Sequence, residues 1–251
     1  MMTQTHMHMS NNTPKTVLIL GANSDVAKEA IKLYVNKNFN VIAASRNIEE
    51  LTRFVEGNVN KERVEVRYFD ATAFDSHSKF YADLPIKPHI VVYAAGFLRS
   101  NEEAIDNWND SYQMMNVNYS GAVSILNIIA SDKSNTHLER IIGISSLSGV
   151  RGRKSNFIYG STKSAFTQYL AGLRQHLSDR NITVNVVISG YIRTKINAGL
   201  ELSESLMLEP EFVAEKIVTA GSGFAIVPGF KWKIIYQILK ALPESLVAKL
   251  P

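Results

Sequence analysis

The sequence predicts an α/β protein: one doubly wound domain on a mainly parallel, seven-stranded sheet, extended by a C-terminal amphipathic helical tail. Three observations carry this prediction. Seven short runs rich in β-branched residues are apolar along their length, as strands covered on both faces are. Longer helical patterns lie between them, which makes βαβ units with right-handed crossovers. No Pro- or Gly-rich linker interrupts the alternation, so residues 15–229 read as one domain.

The elements follow in order. MMTQTHMHMSNNT is polar and has no apolar h-region, so residues 1–14 read as a disordered arm rather than a signal peptide, and its histidines as incidental. TVLIL (16–20) is the first strand, followed by a helix through Ala27–Asn36. VIAAS (41–45), VEVRYF (64–69), IVVYA (90–94), IIGIS (141–145), TVNVVIS (183–189) and FAIV (224–227) complete the sheet. Residues 102–131 and 157–178 read as long helices. From Lys231 to Leu242, Trp232, Ile235, Leu239 and Leu242 form one stripe, with Ile234 and Ile238 beside it and Lys231, Lys233 and Lys240 interspersed. Pro243 ends that helix. Two fates fit residues 230–251: packing on the domain or a second subunit, or lying on a membrane surface.

Composition removes several function classes. A hydrophobic content of 45% supports a substantial core, and the absence of cysteine removes disulfides and thiolate zinc sites. The net charge is +4 and the basic residues are scattered, which argues against a nucleic-acid partner. No run approaches the roughly 18 apolar residues a bilayer span needs, and the expected setting is the cytoplasm.

The chemistry-bearing segments lie at strand ends. LILGANSDVAKEA (18–30) runs strand, tight turn, helix, the place where a dinucleotide pyrophosphate rests on helix N–H groups. Ser24 or Asp25 can cap the helix, and an acid at position 25 is expected to face away from a bound anion. The second strand ends in Ser45-Arg46: an acid that would hold a ribose 2′-hydroxyl is missing, and the guanidinium either pairs with a 2′-phosphate or is merely solvated. Asp70 either accepts from an adenine amino group or caps the next turn. In FIYGSTKSAF, Tyr159 and Lys163 share one helix face. A lysine beside a phenol lowers the phenol's pKa towards a range useful for acid catalysis, although the same spacing also occurs in ordinary surface pairs.

Ser146 precedes Tyr159 by thirteen residues, Gly149 follows Ser146 in Ser-x-x-Gly, and Asn118 stands upstream in Asn-x-x-Gly. With these motifs the chain resembles the short-chain dehydrogenase/reductase family, a Rossmann fold, over nearly its whole length after residue 15. The resemblance implies a catalytic set of Asn118, Ser146, Tyr159 and Lys163. Tyr159 would protonate a carbonyl oxygen, Ser146 would polarise it, Lys163 would tune Tyr159 and bind the nicotinamide ribose, and Asn118 would hold a water linked to Lys163. Ser145 is one residue too far from Tyr159 for the serine role. The implied cofactor is NADP, as NADPH, with NAD second. Its cradle would comprise Gly21, Asn23, Ser24, Asp25 and Val26, then Ser45, Arg46, Asp70 and Ala71. Ala94, Ala95 and Gly96 follow, with Tyr159, Lys163, Ser189, Gly190, Ile192 and Thr194 completing it. No metal is implied. Three motifs depart from the family: Asp25 and Ala27 replace glycines, Tyr93-Ala94-Ala95-Gly96 replaces Asn-Asn-Ala-Gly, and Ser189-Gly190 replaces Pro-Gly. The family also implies a homodimer or homotetramer.

NFIYGSTKSA, the acid after Ser24 and the tail resemble more narrowly the reductases that act on decaprenylphosphoryl-2-keto-erythro-pentose. That likeness implies a lipid-linked keto-sugar substrate, a role in cell-envelope polysaccharide synthesis, and peripheral contact of residues 230–251 with the inner membrane face. Residues 230–250 are expected to form a helical flap over the active-site entrance. Two rivals remain: reduction of a soluble ketone or acyl substrate, and a non-catalytic dinucleotide-binding scaffold. The intact tetrad argues against the scaffold.

Overall fold

In a computed structural model, described here for residues 13–195 and 203–249, strand and helix alternate as expected. Strands β1 (Thr16–Leu20), β2 (Asn40–Ser45), β3 (Val64–Tyr68), β4 (Ile90–Tyr93), β5 (Arg140–Ser146), β6 (Thr183–Ser189) and β7 (Ala225–Ile226) form one sheet in the order β3-β2-β1-β4-β5-β6-β7. Every pairing is parallel, so the sheet is fully rather than mainly parallel. The edge strand β7 is shorter than the apolar run 224–227 because Phe224 contributes only its carbonyl, to the Val186 N–H, and Pro228 has no N–H to extend the ladder.

The helices are α1 (Asp25–Asn36), α2 (Ile48–Asn58), α3 (His77–Ala82), α4 (Asn101–Asp106), α5 (Trp108–Met115), α6 (Gly121–Ser131), α7 (Phe157–His176), α8 (Pro210–Val218), α9 (Phe230–Ala241) and α10 (Glu244–Val247). The strands alternate between two cores. Val17 and Ile19 meet α1, α2 and α8 on one face, while Leu18 and Leu20 share the other with α3, α6 and α7. This two-sided burial is why the strands read as continuous apolar runs.

The single long helix expected over 102–131 is broken. Asn107 leaves the helical conformation and its side chain accepts from the Asn109 N–H, restarting the chain as α5; a short polar side chain competes here with the helix ladder. Residues Asn116–Ser120 then form a wide π-turn that carries Asn118.

The sheet order reverses between β1 and β4, the crevice where ligands enter a doubly wound fold. Here the two βα loops touch. Gly21 adopts φ +86°, and a Cβ on it would stand 2.3 Å from the Ala95 backbone nitrogen. Only glycine combines that left-handed backbone with so close an approach.

The tail stripe turns inward. Trp232 and Leu239 are buried in the core beneath α9, with Ile235 packed against them. The Trp232 indole N–H donates to the Leu206 carbonyl at 2.8 Å. A Cβ on Gly190 would overlap the indole ring at 2.0 Å, so the glycine at the end of β6 makes room for the tail. Arg151 donates to the carbonyls of Leu239 (3.0 Å) and Lys240 (2.9 Å), satisfying groups a helix end leaves open. Trp232 and Leu239 of the stripe thus take the first of the two fates, packing on the domain, while Ile235 and Leu242 are half-buried. The outer face of α9 instead exposes Phe230, Ile234 and Ile238. Most of the expected N-terminal arm lies outside the described residues.

Candidate active site

A cavity of about 780 Å³ opens at the β1–β4 crevice and runs under α9. Every residue expected at the cofactor lines it, from Gly21 and Arg46 at one end to Tyr159 and Thr194 at the other, as do Ser146 and Lys163. Asn118 does not. It is fully buried behind the wall, and its side chain is taken up by the loop after β4: Oδ1 accepts from the Phe97 N–H at 2.8 Å, and Nδ2 donates to the Phe97 carbonyl at 2.9 Å. A third bond reaches Thr162 Oγ1 at 3.1 Å. These bonds hold that loop against α7.

The departures from the family motifs have local explanations. Asp25 turns its carboxylate away from the turn and accepts the Lys195 N–H at 2.7 Å, as expected for an acid that would otherwise face an anion. Ser24 occupies the N-cap position of α1 but makes no side-chain cap bond. Tyr93 is a core residue whose hydroxyl donates to the Val117 carbonyl at 2.6 Å. Asp70 Oδ1 accepts from the Thr72 N–H and hydroxyl, both at 2.8 Å, while the residue lines the cavity. Ser145 is committed to Thr167 Oγ1 and the Lys163 carbonyl, which leaves Ser146 as the free serine. Arg46 is exposed and makes no ion pair among the described residues.

The electrostatics differ from what the four-residue spacing suggested. Burial raises the Tyr159 pKa to about 12, and its hydrogen bond with Ser146 only partly opposes this. Lys163 lies 5.7 Å from the Tyr159 ring centroid and points its ammonium at the Ile144 carbonyl, 3.0 Å away. Burial lowers its own pKa to about 8. Desolvation is the largest cause for both groups. Tyr159 therefore remains a protonated phenol at neutral pH, the form a proton donor needs.

The lysine shift has a measurable consequence. Its folded pKa lies below the ordinary value, so its charge is present below pH about 8 and lost above it. Free enzyme governs kcat/KM for the cofactor. That parameter is expected to be level below pH about 8 and to fall by about tenfold per pH unit above it, as a single deprotonation dictates. Lys163→Arg, whose guanidinium stays charged, should remove the limb; a profile unchanged by that substitution contradicts the assignment.

Arg153 and Asn156 line the cavity although neither was expected there as a site residue: Arg153 sits in a polar loop, and Asn156 entered only through NFIYGSTKSA. The tail residues Trp232, Ile235 and Leu239 form an apolar part of the cavity wall, in line with the expectation that residues 230–250 flap over the active-site entrance. Among the described residues no cluster could hold a metal, and no helix is long and apolar enough to cross a membrane.

Comparison with known proteins agrees with this geometry. An uncharacterized oxidoreductase of Staphylococcus aureus strain MW2 is 26% identical over 214 residues, covering 83% of this chain and 91% of that protein. A short chain dehydrogenase of Burkholderia cenocepacia, solved in complex with NADP, superposes with a TM-score of 0.81 at 18% identity, covering 93% of this chain and 95% of that one. A short-chain dehydrogenase from Streptomyces avermitilis gives 0.77 at 18% identity, covering 90% and 92%. The sequence profile of the short chain dehydrogenases matches residues 15–205. That span includes both the β1–β4 crevice and the Ser146–Tyr159–Lys163 set, and by it this chain belongs to the short-chain dehydrogenase family of NAD(P)-dependent oxidoreductases.

Proposed function

We propose that the chain reduces a ketone to a secondary alcohol with NADPH, and that the ketone is a keto-sugar, free or carried on a polyprenyl phosphate. The observation that carries this reading is the convergence of Ser146, Tyr159 and Lys163 on one cavity whose far wall is apolar. The chain's own residues fit a dinucleotide. Asn23 Oδ1 is buried without a partner among the described residues, and α1 begins at the crevice, where its first turn leaves backbone N–H groups open.

NADPH, when bound, supplies the hydride. Ser146 Oγ donates a hydrogen bond to the carbonyl oxygen and stabilises the negative charge that grows there. Tyr159 gives its proton to that oxygen; a phenol of pKa about 12 remains a far stronger acid than an alcohol. The Lys163 ammonium stabilises the phenolate left behind. Asn118 holds the Phe97 loop in register with these groups.

Preference for NADPH is supported by the absence of an acid after β2, by the unpaired Arg46, and by the NADP held in the Burkholderia protein. Arg46→Ala is expected to raise the KM for NADPH about five- to tenfold, the worth of one exposed charge-assisted contact, and to leave that for NADH within twofold. Equal effects on both cofactors would remove the assignment.

Steady-state oxidation of NADPH tests the reading against keto-pentoses, their phosphates and β-ketoacyl thioesters. Turnover confined to the sugars supports it. Turnover of the thioesters alone makes this a reductase of acyl substrates, and NADPH binding without any oxidation returns the scaffold. On this reading the enzyme is a cytoplasmic homodimer or homotetramer, with exposed Trp108, Tyr112 and Phe157 supplying apolar contact area. The exposed Phe230, Ile234 and Ile238 with their neighbouring lysines would give weak contact with an anionic bilayer, a matter for liposome flotation.

A further inference from the structure

The loop joining the serine turn to α7 contains two arginines with different fates. Arg151 is spent on the carbonyls at the end of α9. Arg153, two residues on, lines the cavity, its Nε is shut off from solvent, and it has no hydrogen-bond partner. No carboxylate pairs with Arg153 among the described residues. Asp25 is engaged by the Lys195 N–H and Asp70 by Thr72. The cavity's other nearby arginine, Arg99, faces Asp110 at 3.6 Å. Arg153 as a whole is half-buried, and a guanidinium N–H shut off from water with no acceptor loses hydration that nothing replaces.

Asn156 lies in the same loop and lines the same cavity. Its Nδ2 donates to Ser148 Oγ at 2.9 Å, which fixes the amide, while its Oδ1 is buried with no donor. The loop is held in shape: the Asn156 N–H bonds the Arg153 carbonyl at 3.1 Å, and the Gly160 N–H bonds the Asn156 carbonyl at 2.8 Å. An unmatched cationic donor and an unmatched neutral acceptor therefore stand three residues apart, immediately before the helix that carries Tyr159. Both deficits vanish if one ligand supplies an oxyanion and a hydroxyl. The same cavity is lined by the apolar side chains of Trp232, Ile235 and Leu239.

We infer that Arg153 is the anion-recognising residue of the substrate site: it binds a phosphate-ester oxyanion of the ketone substrate, while Asn156 Oδ1 accepts a hydrogen bond from one of that substrate's hydroxyls. The inference rests on the ketoreductase reading and narrows its substrate to a phosphorylated polyhydroxy ketone. The phosphate can belong to a free sugar phosphate or to a lipid-linked one, in which case the apolar wall receives the lipid.

The test is calorimetric titration of the NADPH-bound enzyme with farnesyl phosphate, farnesol and ribulose 5-phosphate, on wild type, Arg153→Gln and Arg153→Lys. At least one phosphate probe should bind wild type, bind Arg153→Gln about tenfold or more weakly, as loss of a charge-assisted bond implies, and recover in part with Arg153→Lys. Farnesol should bind wild type and Arg153→Gln alike. Tighter binding of farnesyl phosphate assigns the lipid-linked source, and tighter binding of ribulose 5-phosphate the free one; either supports the site. Equal affinity of wild type and Arg153→Gln for the phosphate probes overturns it, as does failure of both to bind wild type. Should Arg153→Gln not fold, competition by inorganic phosphate against ribulose 5-phosphate on wild type decides, and its absence counts against the site. Wild type that binds the phosphates but reduces no ketone sinks the reductase reading and leaves the anion site standing. Wild type that reduces ketones while Arg153→Gln is indifferent sinks only the anion site.

Discussion

Replacing Tyr159 by phenylalanine is expected to lower kcat by roughly 10²–10⁴, the usual worth of a positioned general acid, while the affinity for NADPH stays within a few-fold. The substitution keeps the ring and its packing and removes one buried hydroxyl. Ser146 retains its bond from the Ser148 N–H at 3.1 Å, so the serine turn has no cause to move. What disappears is the proton, while Lys163 faces the Ile144 carbonyl. On the proposed mechanism Ser146 and Tyr159 act on one oxygen, so Ser146→Ala combined with Tyr159→Phe should cost little more than Tyr159→Phe alone. A Tyr159→Phe enzyme with near-full kcat would show that the proton comes from elsewhere. Rapid-mixing kinetics with saturating NADPH separates this chemical step from cofactor binding.

Gly21→Ala is expected to destabilise the fold by about 3 kcal/mol, combining about 1–2 kcal/mol for a left-handed non-glycine residue with the overlap its methyl group makes. The overlapping atoms are backbone: Ala95 N at 2.3 Å, Ala95 Cα at 2.5 Å and the Ala94 carbonyl carbon at 2.8 Å. Retreat is blocked on the other side, where the Gly21 N–H donates to the Ala44 carbonyl at 2.9 Å. For a chain of this size the loss corresponds to a melting temperature lower by about 6–12 °C. The KM for NADPH should rise about tenfold or more, since the turn that would receive the pyrophosphate is the part displaced. Calorimetry and cofactor titration check the two effects separately. A variant melting within about 2 °C of wild type would show that the β1 and β4 loops do not approach as closely as described.

The amino-acid sequence by itself determined the sheet. The inner runs became strands because covering both faces leaves little room for polar alternation, whereas the edge strand β3 alternates Val64 and Val66 with Glu65 and Arg67 and is only half-buried; both signals are local. Ser146, Tyr159 and Lys163 were legible for a similar reason. Their spacing, with the family resemblance, placed them at one strand end and on one helix face, and the fold brings them to one cavity. Tertiary structure decided what local spacing does not encode: how much water each group keeps and which distant partner it meets. The i,i+4 spacing suggested a lowered phenol pKa, but Tyr159 is raised because burial removes its solvent. The apolar stripe of α9 was visible in the sequence, but the space above Gly190 and the Arg151 clamp turned it onto the protein. Asn118 was legible as a site residue, but its side-chain bonds to Phe97, twenty-one residues away in sequence, were not. Nothing local to Arg153 in the sequence shows that the fold shuts its Nε off from water without an acceptor. Periodicity and spacing are properties of neighbours along the chain, whereas desolvation and pairing sum over residues that only folding brings together.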